Sequence, residues 1–306
     1  LDDVSTRAEV VPWELMLGSG VFSKAAARLK LSVEEKESIE KAAVEDWQDA
    51  IKAGIWETVN YREAAWSTVA SALLYERWGE DRFKDAAMHF GNILLKCQEK
   101  GKAPGIPFRG YFCYDTGRSQ LLSDHHAAFN EAPMIACAAM CRVFPLESAP
   151  YREAAKLFIE GYLAPGSEMS APYNLLPAGL STFPVWTDHI FHGSTNVHLS
   201  QAWALAKAAE ITGDRQAMEL VQKQLEWTLG RNPFSSSLMY GVGYNFAPNY
   251  VYCTHNIAGA IPVGIDSFHD DMPFWNGTAG ATSHEIWIEP VSRFVGTLSS
   301  YLNFHE

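Results

Sequence analysis

Two glutamates stand in a segment near the C-terminus that is otherwise apolar and aromatic, GATSHEIWIEPVSRFVG at 280–296. Pro290 suits the first position of a helix, so Glu289 is the predicted N-cap of that helix. The residues before it are then expected to be extended, with Glu285 and Trp287 on one side. A carboxyl group beside Trp287 loses hydration, which favours its protonated form. Glu285 is therefore the predicted general acid.

Acid/base catalysis requires a second carboxylate, and an aromatic loop with the helix start after it offers several. The stretch GYFCYDTGRSQLLSDHHAAFNEAP contains Asp115 beside Arg118, and then Asp124 and Glu131. Asp124 also suits an ordinary N-cap, and Glu131 suits a charge on a helix face. We take Asp115 and Asp124 as the candidate partners of Glu285.

Two further segments have the residue types of a metal site. WTDHIFHG combines Trp186 with Asp188, His189 and His192. A metal could bind there, but a polar lining for a sugar fits the surrounding aromatic residues better. The acidic loop IDSFHDDMPFW lacks EF-hand spacing, and it leaves structural calcium open as an alternative to a solvated loop. Its three acidic residues are Asp266, Asp270 and Asp271.

The elements that position these residues are predicted to be helices, because apolar residues recur every three or four positions. Residues 64–97 and 202–229 both read as a helix, a Gly turn and an amphipathic return helix, and 130–163 is a looser copy. A helical hairpin cannot bury its apolar face alone. The repeats predict an all-α bundle, solenoid or closed toroid formed by one domain, 1–306.

Long irregular stretches separate the hairpins, at 101–124, 164–198 and 231–284. They are rich in Gly, Pro, Tyr, Trp, His and Asn, and loops of this length are commonly functional. Aromatic faces stack on sugar rings while polar side chains bind hydroxyl groups. We expect a carbohydrate cleft at one end of the helices. The alternative is that the aromatic residues pack against helix ends.

Composition excludes other classes of function. The net charge is −12 without a cluster of Lys or Arg, so no nucleic-acid partner is expected. No apolar run is long enough to span a membrane. Five cysteines without a CxxC pair indicate neither a zinc ribbon nor a disulfide framework. The first residue is Leu1, without a signal-peptide core, which is consistent with a mature or trimmed chain.

The C-terminal third resembles a known family. LEWTLGRNPFSSSLMYGVG at 225–243, a His-containing loop and HEIWIEPVSRFVGTLSSY at 284–301 are similar to the C-terminal part of family-nine glycoside hydrolases. The resemblance is clear over 192–304, and elsewhere it rests on the hairpin pattern. It implies an (α/α)6 toroid of six hairpins, which this chain forms either completely or without its N-terminal part.

The resemblance also implies roles for single residues. Glu285 matches the general acid, His255 falls in the loop of a substrate-contacting histidine, and His284 replaces an asparagine. The family's inverting mechanism uses an N-terminal DAGD motif to activate water, and this sequence has no DAGD. Either that segment precedes Leu1, another aspartate replaces it, or the reaction differs.

The resemblance implies a hydrolase acting on a polysaccharide or oligosaccharide, without a cofactor, in the periplasm or outside the cell. A lyase or uronyl hydrolase on a related toroid is the alternative, and a non-catalytic sugar-binding remnant is a third. The oligomeric state is not indicated. The predicted substrate-binding residues are Arg109, Trp186, His189, His192, Tyr240, Tyr244, His255, His284 and Trp287.

Overall fold

A computed structural model gives the structure of most of the chain. The described residues are 10–122, 129–183, 193–246, 248, 257–267, 271–275 and 280–306. Their α-helices are α1 (Pro12–Arg28), α2 (Val33–Lys52), α3 (Tyr61–Trp78), α4 (Asp81–Lys96), α5 (Ala132–Val143), α6 (Ala149–Phe158), α7 (Ala164–Ser167), α8 (Thr195–Thr212), α9 (Arg215–Thr228), α10 (Ala281–His284) and α11 (Ile288–His305).

Shorter elements connect these helices. Three are 3₁₀ turns, and a π-helical segment continues α6: Ile55–Glu57, Pro145–Glu147, Glu168–Ser170 and Ile159–Leu163. The described strands are β1 (Asp266–Ser267) and β2 (Pro273–Phe274), which pair antiparallel. Within the described ranges, no helix is long and apolar enough to cross a membrane.

The three predicted hairpins are confirmed as α3–α4, α5–α6 and α8–α9. Their ends follow from local chemistry. Asn60 caps α3 and Asp214 caps α9, each with a side-chain oxygen that accepts backbone N–H groups. Gly79 and Gly213 end α3 and α8 at φ values of +68° and +72°, which glycine adopts without strain. These are the glycines of the repeated turn.

The long helices form two layers. Along the inner layer α1 packs on α3, α3 on α5, α5 on α8, and α8 on α11. The outer helices α2, α4, α6 and α9 each pack on the inner helix that precedes them in the chain. Helix α8 is buried along most of its length. The inner helices are rich in alanine because close helix packing leaves room only for small side chains.

The inner helices all begin at the same end, and Phe129 marks it. Its ring meets Trp13 at the start of α1 edge-on, with 5.5 Å between centroids. The guanidinium carbons of Arg62 in α3 and Arg293 in α11 lie 5.8 Å and 5.7 Å from the same ring. We call this the N-terminal end of the ring of inner helices.

A small cavity beside Asn130 is the size of one water molecule. It measures about 10 Å³ and touches Asn130, Gln201 and Tyr162. Among the described residues, neither amide atom of Asn130 nor the Oε1 of Gln201 has a hydrogen-bond partner, although both side chains are buried. Buried polar groups in such a space are usually satisfied by water.

We therefore expect one ordered water between Asn130 and Gln201 in a crystal structure of about 1.8 Å or better. Its oxygen should lie about 3 Å from at least two of the three amide atoms. An empty, dry cavity at that resolution would contradict this prediction.

Candidate active site

A crossing segment, 260–267, holds the residues around Glu285 against the start of α8. The backbone N–H of Thr195 donates to the carbonyl of Val263 at 2.9 Å, and the N–H of Val263 donates to the carbonyl of Glu285 at 2.8 Å. Pro262 and Ile286 form an isolated β-bridge. Glu285 is thus attached through its backbone to the N-terminal end of the ring.

The crossing is close because two glycines meet there. A Cβ on Gly193 would lie 2.1 Å from the carbonyl oxygen of Gly264. Gly264 has φ +80°, and a Cβ there would lie 2.1 Å from the Oγ1 of Thr195. Any larger residue would push the crossing segment away from α8.

The local conformation around Glu285 differs from the sequence prediction. His284 ends the short helix α10, and only the residues from Glu285 to Trp287 are extended. The N-cap of α11 is Trp287, so the prediction of Glu289 as the N-cap was wrong; Glu289 is exposed in the first turn. Pro290 occupies the third helical position, which is allowed because the N–H groups of the first turn have no helical acceptor.

Aromatic side chains surround this segment, but they are not equally accessible. Glu285 and Trp287 are half-buried. His284, predicted to contact substrate, is 1% exposed and stacks on Trp275 with 5.6 Å between ring centroids. Phe234 meets the Trp275 ring edge-on, with 5.6 Å between ring centroids. Because His284 is buried, its placement gives no support to a sugar contact.

The LGRNP turn that follows α9 has a structural role. Asn232 is buried, and its amide group donates to the carbonyls of Trp227 and Ser236 at 2.9 Å and 2.8 Å. Its Oδ1 accepts the N–H of Phe234 at 3.1 Å. Asn232 therefore fixes the turn that carries Phe234 to Trp275.

Asp115 lies at the same end of the ring but beside a different helix. It bridges to Asn60 at the start of α3, and its Oδ1 accepts the N–H groups of Gly117 and Arg118 at 2.8 Å and 3.1 Å. In the packing order of the inner helices, α5 and α8 separate α3 from α11, which Glu285 precedes. Half-buried Asp115 thus lies at the same end of the ring as Glu285, at the start of a different inner helix.

The other described candidates lie on loops. Arg109 is exposed, and its N–H donates to the carbonyl of Gly161 in the π-helical segment at 3.0 Å. Tyr240 packs against Phe246 with 5.0 Å between centroids. Tyr244 is 99% exposed. The predicted candidates Asp124, Trp186, Asp188, His189, His192 and His255 lie outside the described residues.

Glu131 has a larger structural role than its sequence context indicates. It is 3% exposed and forms an ion pair with the equally buried Arg293, with 3.0 Å between Oε1 and Nε. Its Oε2 accepts the hydroxyl of Ser200 at 2.6 Å. The prediction of a helix-face charge was wrong. The available signal was an arginine within the apolar run VSRFVG of α11, because such a residue requires a buried partner.

A second polar cluster ties two loops to each other and to α8. Both carboxylate oxygens of Asp271 accept backbone N–H groups, from Thr182 and Phe183, at 3.0 Å each. The Nε2 of His198 contacts the carbonyl of Thr182 at 2.8 Å. Burial lowers the pKa of His198 to about 4, although Thr182 and Asp271 oppose the shift.

This histidine makes stability depend on pH. The unfolded chain binds the proton with the ordinary pKa of about 6.5, whereas the folded chain binds it only near 4. The free energy of unfolding is therefore unaffected by His198 above pH 6.5. It decreases as the pH falls towards 4, by on the order of 3 kcal/mol in all, because the unfolded chain takes up the proton first. Urea unfolding at pH 7 and pH 4.5 measures it. We expect His198→Gln to lose clearly less stability over this interval, and equal losses would contradict the assignment.

The acidic loop proposed for calcium uses its described carboxylates for protein contacts. Asp266 is buried, and its Oδ1 accepts the hydroxyl of Ser194 at 3.0 Å and the N–H of Ser267 at 2.8 Å. The Asp271 carboxylate accepts the N–H groups of Thr182 and Phe183. In the part of the chain that the structure describes, no group of three or more His, Cys, Asp or Glu side chains could hold a metal ion.

A cavity of about 560 Å³ lies among α1, α3, α5 and α8, and Glu285 is not among the residues that line it. Its walls are apolar, with Met16 and Ile135 among them, and Lys24, Arg142 and Lys207 line it towards the C-terminal ends of the helices. Cations there are favourable because helix C-termini carry partial negative charge.

Comparison with known proteins identifies the family. The profile of glycosyl hydrolase family 9 matches residues 25–265. No curated protein sequence gives a significant match. Similar solved structures include the cellulase Cel9M of C. cellulolyticum, 14% identical with TM-score 0.66, and a metagenome-derived glycoside hydrolase family 9 endoglucanase, 13% identical with TM-score 0.64. A third is the endoglucanase CelQ from Clostridium thermocellum complexed with cellotriose, 16% identical with TM-score 0.60.

These alignments cover 100%, 99% and 98% of this chain, but 69%, 54% and 49% of the three proteins. At such low identity they show the fold, and the prediction of an all-α toroid of hairpins in the (α/α)6 class is confirmed. Because the family profile spans more than half of the 306 residues, the chain belongs to glycosyl hydrolase family 9 and is a glycoside hydrolase domain.

Proposed function

We propose that the chain hydrolyses the glycosidic bonds of a β-glucan, with Glu285 as the proton donor. The observation that carries the proposal is the position of Glu285 in a member of glycosyl hydrolase family 9. Its backbone is attached to the start of α8, and three residues later α11 begins. Structural relatives are described as a cellulase and as an endoglucanase complexed with cellotriose, which supports a glucan substrate.

In the proposed reaction the Glu285 carboxylic acid protonates the glycosidic oxygen as the bond to the anomeric carbon breaks. A second carboxylate removes a proton from water, which attacks the opposite face of the sugar and inverts the anomeric centre. The two carboxyl groups must lie roughly 6.5–9.5 Å apart to admit that water. Asp115 and Asp124 are the proposed candidates for the base.

Aromatic residues provide the proposed sugar contacts. Half-buried Trp287 is next but one to Glu285, and we propose that its indole ring stacks on a sugar ring beside the acid. Tyr240, Tyr244 and Arg109 are proposed for more distant subsites. We assign Trp186, His189, His192 and His255 to substrate binding on the sequence resemblance alone.

Hydrolysis is favoured over the lyase reaction by the family assignment. The proposed route is acid/base catalysis without a cofactor, by one domain that acts in the periplasm or outside the cell on a polysaccharide or oligosaccharide.

Incubation with barley β-glucan and with cellotetraose tests the proposal. We expect new reducing ends, products whose anomeric configuration is initially inverted in ¹H NMR, and no ultraviolet absorbance from an unsaturated sugar. An unsaturated product would instead establish a lyase. Binding of cellotetraose without any cleavage would establish the sugar-binding alternative.

A further inference from the structure

A buried ion pair connects α11 to two other inner helices at the end where Glu285 lies. The Nε of Arg293 is 3.0 Å from the Oε1 of Glu131, and each side chain is only 4% exposed. Arg293 belongs to the second turn of α11, whereas Glu131 immediately precedes α5. The pair therefore spans the interior of the ring.

Further hydrogen bonds include α8 in the same network. The Nη1 of Arg293 donates to the side-chain oxygen of Asn196 and lies 3.5 Å from its carbonyl oxygen. Ser200, one turn later in α8, donates its hydroxyl to Glu131 and accepts the N–H of Asn130 at 2.9 Å. Both charges are thus paired and bonded, and three helices are held in a single relative position.

Stability alone is a poor explanation for this arrangement. Burying two charges carries a desolvation cost that their attraction roughly offsets, and apolar replacements of similar volume are often equally stable. What an ion pair with several directed hydrogen bonds provides is a defined geometry. Here it defines how far α11 is shifted along its axis relative to α8.

The axial position of α11 bears directly on Glu285. Arg293 is five residues after the first residue of α11, about 7.5 Å along the helix at the usual rise. Glu285 is three residues before that start and hydrogen-bonds through its carbonyl to Val263, which is itself bonded to Thr195 of α8. A shift between α8 and α11 would therefore move the carboxyl group relative to the sugar.

We propose that Arg293 and Glu131 are positioning residues. They hold the Glu285 carboxyl group at the position along the α11 axis from which it can protonate the glycosidic oxygen. This inference rests on the proposed role of Glu285. General acid catalysis depends strongly on placement within hydrogen-bond reach. The network should therefore affect protonation of the leaving group more than binding of the substrate.

Two substrates separate these effects. Barley β-glucan has a poor leaving group that needs the acid, whereas 2,4-dinitrophenyl β-cellobioside has a good leaving group that does not. The variants are Arg293→Lys, which keeps the charge, and the double variant Arg293→Met with Glu131→Leu, which fills the site with apolar side chains and leaves no charge unpaired. Lys41→Met is the control, because it removes only an exposed ion pair with Glu45.

We expect kcat on β-glucan to fall about 10- to 100-fold in both variants, with KM changed less than about 3-fold. Activity on the dinitrophenyl substrate should stay within about 3-fold of the wild type, and Lys41→Met should match the wild type on both substrates. Thermal unfolding above the assay temperature confirms that the variants are folded during the measurement.

Equal losses on the two substrates, or no loss in the folded double variant, would overturn the positioning role. Glu285→Gln, assayed in parallel, separates this failure from failure of the proposed function. If Glu285→Gln loses activity on β-glucan but keeps it on the dinitrophenyl substrate, while the network variants do not, only the positioning role is wrong. If it retains activity on β-glucan, the acid assignment itself is wrong.

Discussion

Glu285→Gln is expected to lower kcat on barley β-glucan by about 10³-fold, because the amide occupies the same space but has no acidic proton to give the leaving oxygen. The loss should fall on kcat while KM stays within a few-fold, since the substitution conserves shape and leaves the backbone contacts with Val263 in place. Reducing-end assays over a range of glucan concentrations give both constants.

The control for this variant is Glu289→Gln. Glu289 is the nearby glutamate of the same segment, but it is exposed in the first turn of α11. We expect its replacement to change activity less than about 3-fold and to cost well under 1 kcal/mol of helix-dipole stabilisation. If Glu289→Gln were the inactive variant, the assignment based on the extended segment would be reversed.

Gly193→Ala should be among the most damaging single-methyl changes in the described part of the chain. The new Cβ would meet backbone atoms, 2.1 Å from the carbonyl oxygen of Gly264, and backbone cannot rotate away as a flexible side chain can. We expect a loss of about 3 kcal/mol or more in the free energy of unfolding, at the upper end of overpacking effects. Activity should fall with it, because the crossing segment carries Glu285.

Gly20→Ala is the matched control. Gly20 lies within α1, and a Cβ there would have its nearest neighbour at 3.5 Å, which is ordinary contact. Alanine is a better helix former than glycine by about 1 kcal/mol, so this variant should be as stable as the wild type or more stable. Urea unfolding of both variants decides the matter. A Gly193→Ala protein as stable as Gly20→Ala would show that the crossing of Gly193 and Gly264 is looser than described.

The parts of the fold that sequence predicted are those set by local chemistry. Gly79 and Gly213 identified the repeated turn, and the Ala-rich segments before them identified inner helices, because helix ends and helix faces depend on residues close together in the chain. The family was reached through the LGRNP turn, in which Asn232 makes all of its bonds within a few residues.

The parts that sequence missed depend on contacts between distant residues. Glu131 and Arg293 are 162 positions apart, and each looks like a surface charge until the other is placed. His284 lies beside Glu285 in the chain, yet it is buried because Trp275 covers it. The N-cap of α11 shifted from Glu289 to Trp287 because the β-bridge between Pro262 and Ile286 determines where the extended segment ends. None of these follows from spacing alone.

The proposed function requires the Glu285 carboxyl group to reach the glycosidic bond that is broken. A crystal structure of the Glu285→Gln variant with bound cellotetraose tests this directly, because the variant should bind the substrate without cleaving it. We predict that the side-chain amide at position 285 lies about 3 Å from a glycosidic oxygen. A sugar chain bound elsewhere, or bound with no glycosidic oxygen within reach of position 285, would contradict the central claim.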